Sequence, residues 1–284
     1  MVDLKETIPW LLEEMLGRPL YGRVSRYLWR KAQLDAYDNF EENGESLLQR
    51  GLVENADRGR PLTVLDVGAN IGEWAGGLIG QVDRCGGPPL ELHLFEPSVD
   101  AAAELRERFG GGEALRRVDL KVHELAVADE PGTAELARTA PTAGTNSLKV
   151  DPSDEIEDMR TVEVTTLDAF CEREGIDRVD FVKIDTEGND LNVLRGASEL
   201  LGREAIDLMQ FEYNQRWINF RYYLRDAFEY LDELGYRVGK VTNRGIETYR
   251  RWHLEMENFW LANFVAYRPS LDLPVGSFSY WKEV

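Results

Sequence analysis

Apolar and polar residues follow two different patterns along this chain. Short runs rich in β-branched residues, typical of buried parallel strands, are separated by stretches in which apolar residues recur every three or four positions, typical of amphipathic helices. The predicted strands lie at 63–67, 90–95, 120–126, 180–188 with a polar end, 206–214, 236–241 and 259–267. The predicted helices between them lie at 101–109, 167–173, 191–201 and 220–234. This alternation predicts a parallel α/β sheet of about seven strands, in which the last two are neighbours and the final strand returns antiparallel.

Two parts of the chain depart from this alternation. The segments 132–136 and 162–166 are typical of two antiparallel strands, joined by a polar, acidic loop that we expect at the strand tips, where substrate loops lie. Residues 1–60 instead carry three helical patterns, the clearest with Ile8, Leu11, Leu12, Met15 and Leu16 on one face and the others at 24–37 and 47–53. We expect this N-terminal helical arm to cover a cofactor, to pair two subunits, or simply to pack against the sheet domain. The sheet domain spans 61–268, and 269–284 forms a C-terminal tail.

The first predicted strand ends in a glycine-rich turn, T-V-L-D-V-G-A-N-I-G-E-W at 63–74. Gly68, Asn70 and Gly72 occupy alternate positions, and a helical pattern opens at Glu73. A strand, a tight glycine turn and a helix N-terminus together form a nucleotide-type pocket, because glycine lets backbone amides approach a ligand closely. Asn70 replaces the middle glycine of G-x-G-x-x-G, and the last spacing is one residue shorter, which favours a ligand without a pyrophosphate. S-adenosylmethionine (SAM) is such a ligand.

The second predicted strand supplies an acidic residue of the kind that holds a ribose. The segment L-E-L-H-L-F-E-P at 90–97 places Glu96 at the strand tip. Dinucleotide folds place this acid roughly 20 residues after the glycines, and a longer helix accounts for its later position here. We therefore predict that Glu96 binds the ribose hydroxyls, while Asp66, through water, and the amides of the turn meet the amino-acid end of SAM. The alternative is a glycine turn with an unrelated exposed glutamate.

Charge and cysteine content exclude several classes of partner. The net charge of −19 repels phosphate backbones and anionic lipids, so we expect neither nucleic acid nor a membrane as a partner. Cys85 and Cys171 give neither a disulfide framework nor a metal-binding spacing, which favours a reducing cytoplasm. The N-terminus contains no uninterrupted apolar run, so we expect neither a signal peptide nor a membrane span there.

Six short blocks then occur in order along the chain. They are D-V-G-A-N-I-G at 66–72, F-E-P at 95–97, T-N-S-L at 145–148, V-T-T-L-D at 164–168, K-I-D-T-E-G at 183–188 and F-E-Y-N at 211–214. This series resembles the FkbM family of SAM-dependent methyltransferases over residues 60–268. The resemblance implies the seven-stranded class I methyltransferase (Rossmann-like) fold, here with an N-terminal helical extension. It also implies methyl transfer, usually to oxygen, on small molecules such as sugars and polyketide-type metabolites.

The resemblance also implies that the adenine edge meets the tip of the third strand, from Glu124 to Ala126. The cofactor contacts predicted from the turn, the second strand and the resemblance are Asp66, Gly68, Ala69, Asn70, Gly72, Glu96, Pro97, Glu124 and Ala126.

Three carboxylates at neighbouring strand tips are candidates for the chemistry of methyl transfer. Asp185 and Glu187 follow the fourth strand, and Glu212 lies at the end of the fifth. An alcohol acceptor needs either a general base, such as a carboxylate with a raised pKa, or a cation that lowers the pKa of the alcohol. Asp185, Glu212 and Asn214 offer oxygen ligands suited to Mg²⁺. Alternatively, Asp185 only holds the amino group of the cofactor, and Glu187 only turns the chain into its helix.

His253 is the fourth candidate catalytic residue. It lies among Arg244, Arg250, Arg251 and Trp252, a basic cluster in an acidic protein that could hold an anionic substrate group with His253 as base. The alternative is an exposed helix face balanced by neighbouring glutamates.

The sequence therefore predicts a cytoplasmic SAM-dependent O-methyltransferase that acts on a hydroxyl of a small polar molecule. Assistance by Mg²⁺ and formation of a homodimer are open at this stage. A nicotinamide-dependent oxidoreductase and a non-catalytic nucleotide-binding module are the alternatives, because both would use the same pocket of strand, glycines and acid.

Overall fold

The computed structural model describes residues 4–34, 40, 42–111 and 116–283. The chain divides into two compact units, Met1–Asp35 and Ala36–Val284. The end of the predicted helix at 24–37 and the last residue of the predicted tail lie outside the described residues.

The first unit consists of two helices, α1 (Leu4–Leu16) and α2 (Arg18–Ala32), which meet at Gly17. The helix predicted around Ile8 to Leu16 is confirmed. The second helix begins earlier than predicted, with Pro19 in its first turn. Proline suits that position, because its fixed φ matches a helix and its missing N–H would have no helical partner there.

The second unit contains the remaining described helices and strands. The helices are α3 (Glu45–Asn55), α4 (Glu73–Cys85), α5 (Val99–Arg108), α6 (Leu167–Glu174), α7 (Asp190–Arg195), α8 (Ser198–Gly202), α9 (Trp217–Phe220) and α10 (Leu224–Glu233). The strands are β1 (Leu62–Val67), β2 (Leu90–Phe95), β3 (Val118–His123), β4 (Ala126–Val127), β5 (Gly132–Arg138), β6 (Asp158–Thr165), β7 (Val179–Ile184), β8 (Ile206–Tyr213), β9 (Arg237–Thr242), β10 (Gly245–Thr248), β11 (Ala262–Tyr267) and β12 (Ser277–Ser279).

The main sheet has the strand order β12-β10-β9-β11-β8-β7-β1-β2-β3 within the described residues. Its strands from β8 to β3 are parallel, and β11 inserts antiparallel between β8 and β9. This is the seven-stranded class I methyltransferase (Rossmann-like) fold, and the prediction of that fold is confirmed. The last two strands on one side of the sheet, β10 and the edge strand β12, are not predicted, because four and three residues are too short to show a period.

The predicted antiparallel excursion is confirmed, because β5 pairs antiparallel with β6 in a second, three-stranded sheet. The predicted strand 120–126 is wrong at its end. Strand β3 stops at His123, and Ala126 and Val127 pair with β6 instead. Apolar residues lie on both sides of His123 and Glu124, so composition alone does not reveal the change of sheet.

Two predicted helices differ from the structure. The segment 191–201 forms two helices, which meet at Gly196, where an added Cβ would lie 2.0 Å from the carbonyl oxygen of Ala128. That close backbone approach explains why a glycine stands at the junction. The helix predicted from Phe220 begins at Leu224, because Arg221 adopts φ 60° and ends α9.

The sheet carries an apolar core on each face. Leu65 and Val67 of β1 pack in the core with α6, α7 and α10, while Leu62 and Val64 pack in the core with α3 and α4. Successive side chains of a strand point to opposite faces, so Asp66 points toward α3 and α4 at the carboxyl end of β1. In the parts of the chain that the structure describes, no helix combines the length and apolar character needed to cross a bilayer.

Candidate active site

A cleft opens at the carboxyl ends of β1, β2 and β7. Its lining includes Val67, Gly68, Asn70, Phe95, Glu96, Pro97, Leu125, Ala126, Val127, Gly144, Asn146, Ser147, Asp185, Thr186 and Glu187. The structure thus brings the turn after β1, the acid after β2 and the polar end of β7 to one place. We call this the cofactor cleft.

Gly68 determines how closely β1 and β7 approach each other beside the cleft. It adopts φ +83°, and a Cβ added there would lie only 1.8 Å from the carbonyl oxygen of Asp185. The amides of Gly68 and Ala69 both donate to the carbonyl oxygen of Phe95, at 2.9 and 3.0 Å. The expectation that the amides of Gly68 and Ala69 meet the ligand is therefore corrected. A glycine is needed at position 68 because a side chain would collide with the backbone of Asp185. The amides of Gly68 and Ala69 join the turn to β2.

Glu96 lies buried at the edge of the cofactor cleft. Its Oε1 accepts the amide of Ser98 at 2.8 Å, and its Oε2 accepts the amide of Asn70 at 2.9 Å. Burial raises the pKa of Glu96 to about 7, although these two amides act to lower it. A carboxylate oxygen has two lone pairs, so each oxygen can still accept a hydroxyl from a ligand in the cleft.

A second cavity lies beside the same turn and shares Gly68, Asn70 and Asp185 with the cofactor cleft. We call it the polar cavity. The other residues of its lining are Phe40, Asn43, Glu45, Asp66, Ala69, Ile71, Glu73, Trp74, Lys183, Glu212, Leu261 and Asn263. Asp66 is buried, and its Oδ2 has no hydrogen-bond partner among the described residues. Burial raises the pKa of Asp66 to about 7.

Lys183 is the cation of the polar cavity. Its Nζ lies 2.9 Å from Oδ2 of Asp185, and β1 places Asp66 directly beside it in register. Burial alone would lower the pKa of Lys183, but four surrounding carboxylates, of Asp185, Glu45, Glu212 and Asp66, raise it above the usual range. Lys183 therefore stays charged and balances part of this negative cluster.

Sequence reasoning missed Lys183, Glu45 and Gln210. Gln210 lies beside Lys183 in register, and its Nε2 donates to Oε1 of Glu45 at 2.5 Å. The available signal was a lysine and a glutamine within otherwise apolar strands, where an unpaired polar side chain is rare.

The three candidate catalytic carboxylates lie close together. Burial, followed by the charge of Asp185, raises the pKa of both Glu187 and Glu212. Glu187 adopts φ 55° and forms an ion pair with Arg216, whose Nε lies 2.9 Å from its Oε2. Glu212 accepts the side-chain amide of Asn214. Asp185 and Glu187 face the cofactor cleft, whereas Asp185 and Glu212 face the polar cavity.

Three predicted cofactor or base residues lie elsewhere, and Asn214 also lies outside both linings. Gly72 caps α4, and a Cβ added there would meet the side chains of Phe109 and Leu105. Glu124 forms an ion pair with Arg106 on the surface. His253 places its Nε2 2.8 Å from Oε1 of Glu283. None of the three is among the described residues that line the cofactor cleft or the polar cavity.

The structure does not support the predicted Mg²⁺ site. The side-chain oxygen of Asn214 accepts the amide of Arg216 at 2.8 Å, while its nitrogen donates to Glu212. Asp185 is held by Lys183. Among the described residues, no group of three or more His, Cys, Asp or Glu side chains is arranged to hold a metal ion. These three side chains therefore do not fit a common cation.

Comparison with known proteins decides the family. A family model described as the methyltransferase FkbM domain matches residues 66–238. The chain belongs to the FkbM methyltransferase family. The FkbM resemblance predicted from six blocks is confirmed, and the protein is a SAM-dependent methyltransferase. The FkbM chain is also 24% identical over 202 residues to the 2-O-methyltransferase NoeI of Sinorhizobium fredii (strain NBRC 101917 / NGR234). The aligned region covers 63% of this chain and 77% of NoeI.

Solved structures of other methyltransferases are similar to this FkbM chain at low identity. An O-methyltransferase from Bacillus cereus in complex with S-adenosylhomocysteine (SAH) is 14% identical with a TM-score of 0.42, covering 92% of this chain and 96% of that one. The CMeT domain of the citrinin polyketide synthase is 14% identical with a TM-score of 0.41, and the match covers 75% of this chain and 48% of that one. Because these identities and TM-scores are low, the fold of this chain is assigned from the order of the strands in its own sheet.

The cofactor cleft of the FkbM chain fits SAM in chemical character. Glu96 offers acceptors for ribose hydroxyls, and Leu125, Ala126 and Val127 form an apolar wall suited to an adenine ring. The hydroxyl of Thr186 is buried in the cleft without a hydrogen-bond partner among the described residues, as expected where a ligand supplies one. These residues, together with Asp66 and Asp185 for the ammonium group, would hold the cofactor.

Asp190, at the start of α7, is expected to make the stability of the protein depend on pH. Asp190 is buried, and burial raises its pKa from 3.8 to about 7. Between these two values the folded state holds a proton that the unfolded state has released, so stability falls as pH rises through this window. We expect Asp190→Asn to remove this loss, which is on the order of 4 kcal/mol between pH 4 and pH 8.

Urea unfolding at several pH values measures this effect. The free energy of unfolding of Asp190→Asn, relative to the unsubstituted protein, should increase from pH 4.5 to pH 7.5. The exposed Asp129→Asn is the matched control and should leave the pH dependence unchanged. A parallel pH dependence in Asp190→Asn and the unsubstituted protein would contradict the assignment.

Proposed function

We propose that this FkbM methyltransferase transfers the methyl group of SAM to a hydroxyl oxygen of a small polar molecule, such as a sugar or a secondary metabolite. The observation that carries the proposal is the carboxylate cluster of Asp185, Glu187 and Glu212 beside the cofactor cleft, in which burial raises the pKa of both glutamates. A group that takes a proton from an alcohol works best with a pKa near the working pH. The similarity to NoeI, a 2-O-methyltransferase, supports transfer to oxygen.

Glu212 is the carboxylate best suited to be the general base. Asp185 is paired with Lys183, and Glu187 is paired with Arg216. Among the described residues, the side chain of Glu212 accepts a hydrogen bond from the neutral side-chain amide of Asn214 and forms no direct ion pair. A cation paired directly with a carboxylate lowers its proton affinity. Lys183 also lowers the pKa of Glu212, but burial and Asp185 outweigh its effect, so Glu212 is the strongest base of the three.

The remaining residues of the site bind and orient. When bound, SAM supplies a methyl group already activated by its positive sulfur. Glu96 and Asp66 fix the two ends of the cofactor, and Ser147 joins the loop over the cleft to the β7 tip by donating from its hydroxyl to the carbonyl oxygen of Glu187 at 2.9 Å. Closing the cleft in this way excludes water and aligns the acceptor oxygen, which is most of what a displacement at carbon requires.

The surface charge and the cysteines support the other parts of the proposal. A net charge of −19 favours small-molecule acceptors over nucleic acid. Both cysteines are free, and burial raises the pKa of the Cys171 thiol to about 12, so it is unreactive. These observations support a reducing, cytoplasmic location.

Product analysis by mass spectrometry tests the function. Purified protein is incubated with SAM and a panel of monosaccharides and phenolic metabolites, each paired with its deoxy analogue. We expect equal amounts of SAH and of a product heavier by one CH₂, with the methyl group on oxygen, and no product from the matching deoxy analogue. Methylation of nitrogen or carbon would contradict the proposal.

A chelator experiment distinguishes a mechanism with a general base from one that requires a metal ion. With Glu212 as base, the rate should be unchanged by EDTA and by added Mg²⁺. Loss of activity in EDTA with recovery in Mg²⁺ would contradict a metal-free mechanism.

A further inference from the structure

The two helices of the first unit expose an unusually large apolar surface. Ten large apolar side chains of α1 and α2 are exposed by 37–79% of their area. They are Ile8, Trp10, Leu11, Leu12, Met15, Leu20, Val24, Tyr27, Leu28 and Trp29, and we call them the arm surface. At roughly 150–200 Å² per side chain and about half exposure, the arm surface presents on the order of 900 Å².

This area matches a protein interface and exceeds an ordinary surface patch. The largest apolar patch of a typical monomer is about 300–600 Å². Each partner of a standard stable interface contributes about 800 Å². The arm surface is therefore large enough to support a stable dimer by itself.

The two helices carry opposite charges beside this surface. Helix α2 contains five cations and no carboxylate, namely Arg18, Arg23, Arg26, Arg30 and Lys31. Helix α1 carries the exposed Glu13 and Glu14 near its end, with no basic residue in its last turn. Each helix thus complements the other in charge.

We propose that the arm surface packs against the arm surface of a second copy of this chain, with α1 of one copy against α2 of its partner. In a two-fold symmetric interface the same pair of helices meets twice. Pairing α1 with α1 would bring Glu13 and Glu14 of both copies together, and pairing α2 with α2 would bring two groups of cations together. Pairing α1 with α2 places opposite charges side by side and buries both apolar faces.

The charges favour a protein partner over a lipid surface. A basic amphipathic helix such as α2 also suits an anionic membrane. The carboxylates of Glu13 and Glu14 flank the same surface, however, and the whole chain carries −19 charges, which anionic lipids repel.

The mass of the full-length protein in solution tests the proposal. Light scattering after gel filtration should give twice the chain mass of 32.4 kDa. The double variant Met15→Asp, Leu28→Asp should weaken the dimer by at least about 100-fold and elute as a monomer, because it places two charges in an apolar contact. The double variant Val99→Asp, Leu254→Asp is the matched control, with two side chains exposed by 65% and 76% outside the arm, and should remain a dimer. Unchanged circular dichroism should show that both variants fold.

Charge exchange tests the arrangement of the helices. Glu13→Lys, Glu14→Lys should weaken the dimer, and adding Arg23→Glu, Arg26→Glu to the same chain should restore it. A monomeric unsubstituted protein, or a failure of the second pair to restore the dimer, would overturn the proposal. Cosedimentation of the unsubstituted protein with phosphatidylglycerol vesicles but not with phosphatidylcholine vesicles, together with a monomeric mass, would assign the arm surface to a membrane instead.

Discussion

Replacing Glu212 by glutamine is expected to lower kcat by about 10²–10⁴-fold, the usual contribution of a general base. Glutamine keeps the size of the side chain and its hydrogen-bonding capacity toward Asn214, but it does not accept a proton. Because no cofactor contact is assigned to Glu212, the affinity for SAH should change by less than about threefold.

The pH profile of the same variant identifies the role of Glu212. Burial and the neighbouring Asp185 raise the pKa of Glu212, so a base at this position is active only when the pH exceeds that raised value. For the unsubstituted protein, kcat/KM should therefore rise with pH, and Glu212→Gln should lose this rising limb. The exposed Glu233→Gln is the control and should retain both rate and profile. A Glu212→Gln enzyme that keeps its rate would reject Glu212 as the base.

Replacing Gly68 by alanine is expected to have the largest structural effect of any methyl-sized change at the site. The new Cβ would lie 1.8 Å from the carbonyl oxygen of Asp185, at a backbone φ of +83°. A left-handed conformation costs a residue with a Cβ about 1–2 kcal/mol. Overpacking adds about 1–3 kcal/mol, so we expect a loss of stability of about 2–5 kcal/mol.

The same substitution should separate β1 from β7 and distort the cofactor cleft. We expect the dissociation constant of SAH to increase by about 100-fold, by analogy with the roughly 10²-fold loss of rate that a 1 Å misplacement of reacting groups causes. The control is Gly80→Ala in α4, where an added Cβ meets no atom within 4 Å. That change should stabilise the protein by up to about 1 kcal/mol, because alanine favours a helix interior. Equal melting temperatures for Gly68→Ala and the unsubstituted protein would contradict the close approach.

The sequence predicted those parts of the fold that local patterns determine. Apolar runs marked the parallel strands, and the turn after Val67 and the acid at Glu96 marked two tips that the structure brings together. Break points were harder to predict. Gly196 lies where the carbonyl oxygen of Ala128 approaches the junction of α7 and α8, and that contact spans two distant parts of the chain.

The polar cavity shows why part of the site could not be predicted. Lys183 becomes a partner of Asp66 through the register of β1 with β7, and Glu45 reaches Gln210 from α3. A single sequence does not reveal either alignment. Glu124 shows a related difficulty, because a position at a strand tip does not fix the direction of its side chain.

The central claim is that the cofactor cleft between the Gly68 turn and Glu96 holds the adenosyl part of SAM. Calorimetric titration of SAH into the unsubstituted protein, Glu96→Ala and the exposed control Glu130→Ala tests it most directly. We predict that Glu96→Ala weakens SAH binding by about 10–100-fold, because hydrogen bonds to a charged acceptor contribute free energy of that size. Glu130→Ala should bind SAH like the unsubstituted protein. Equal SAH affinity in all three proteins would show that the ribose does not contact Glu96, and the cleft would then no longer be the cofactor site.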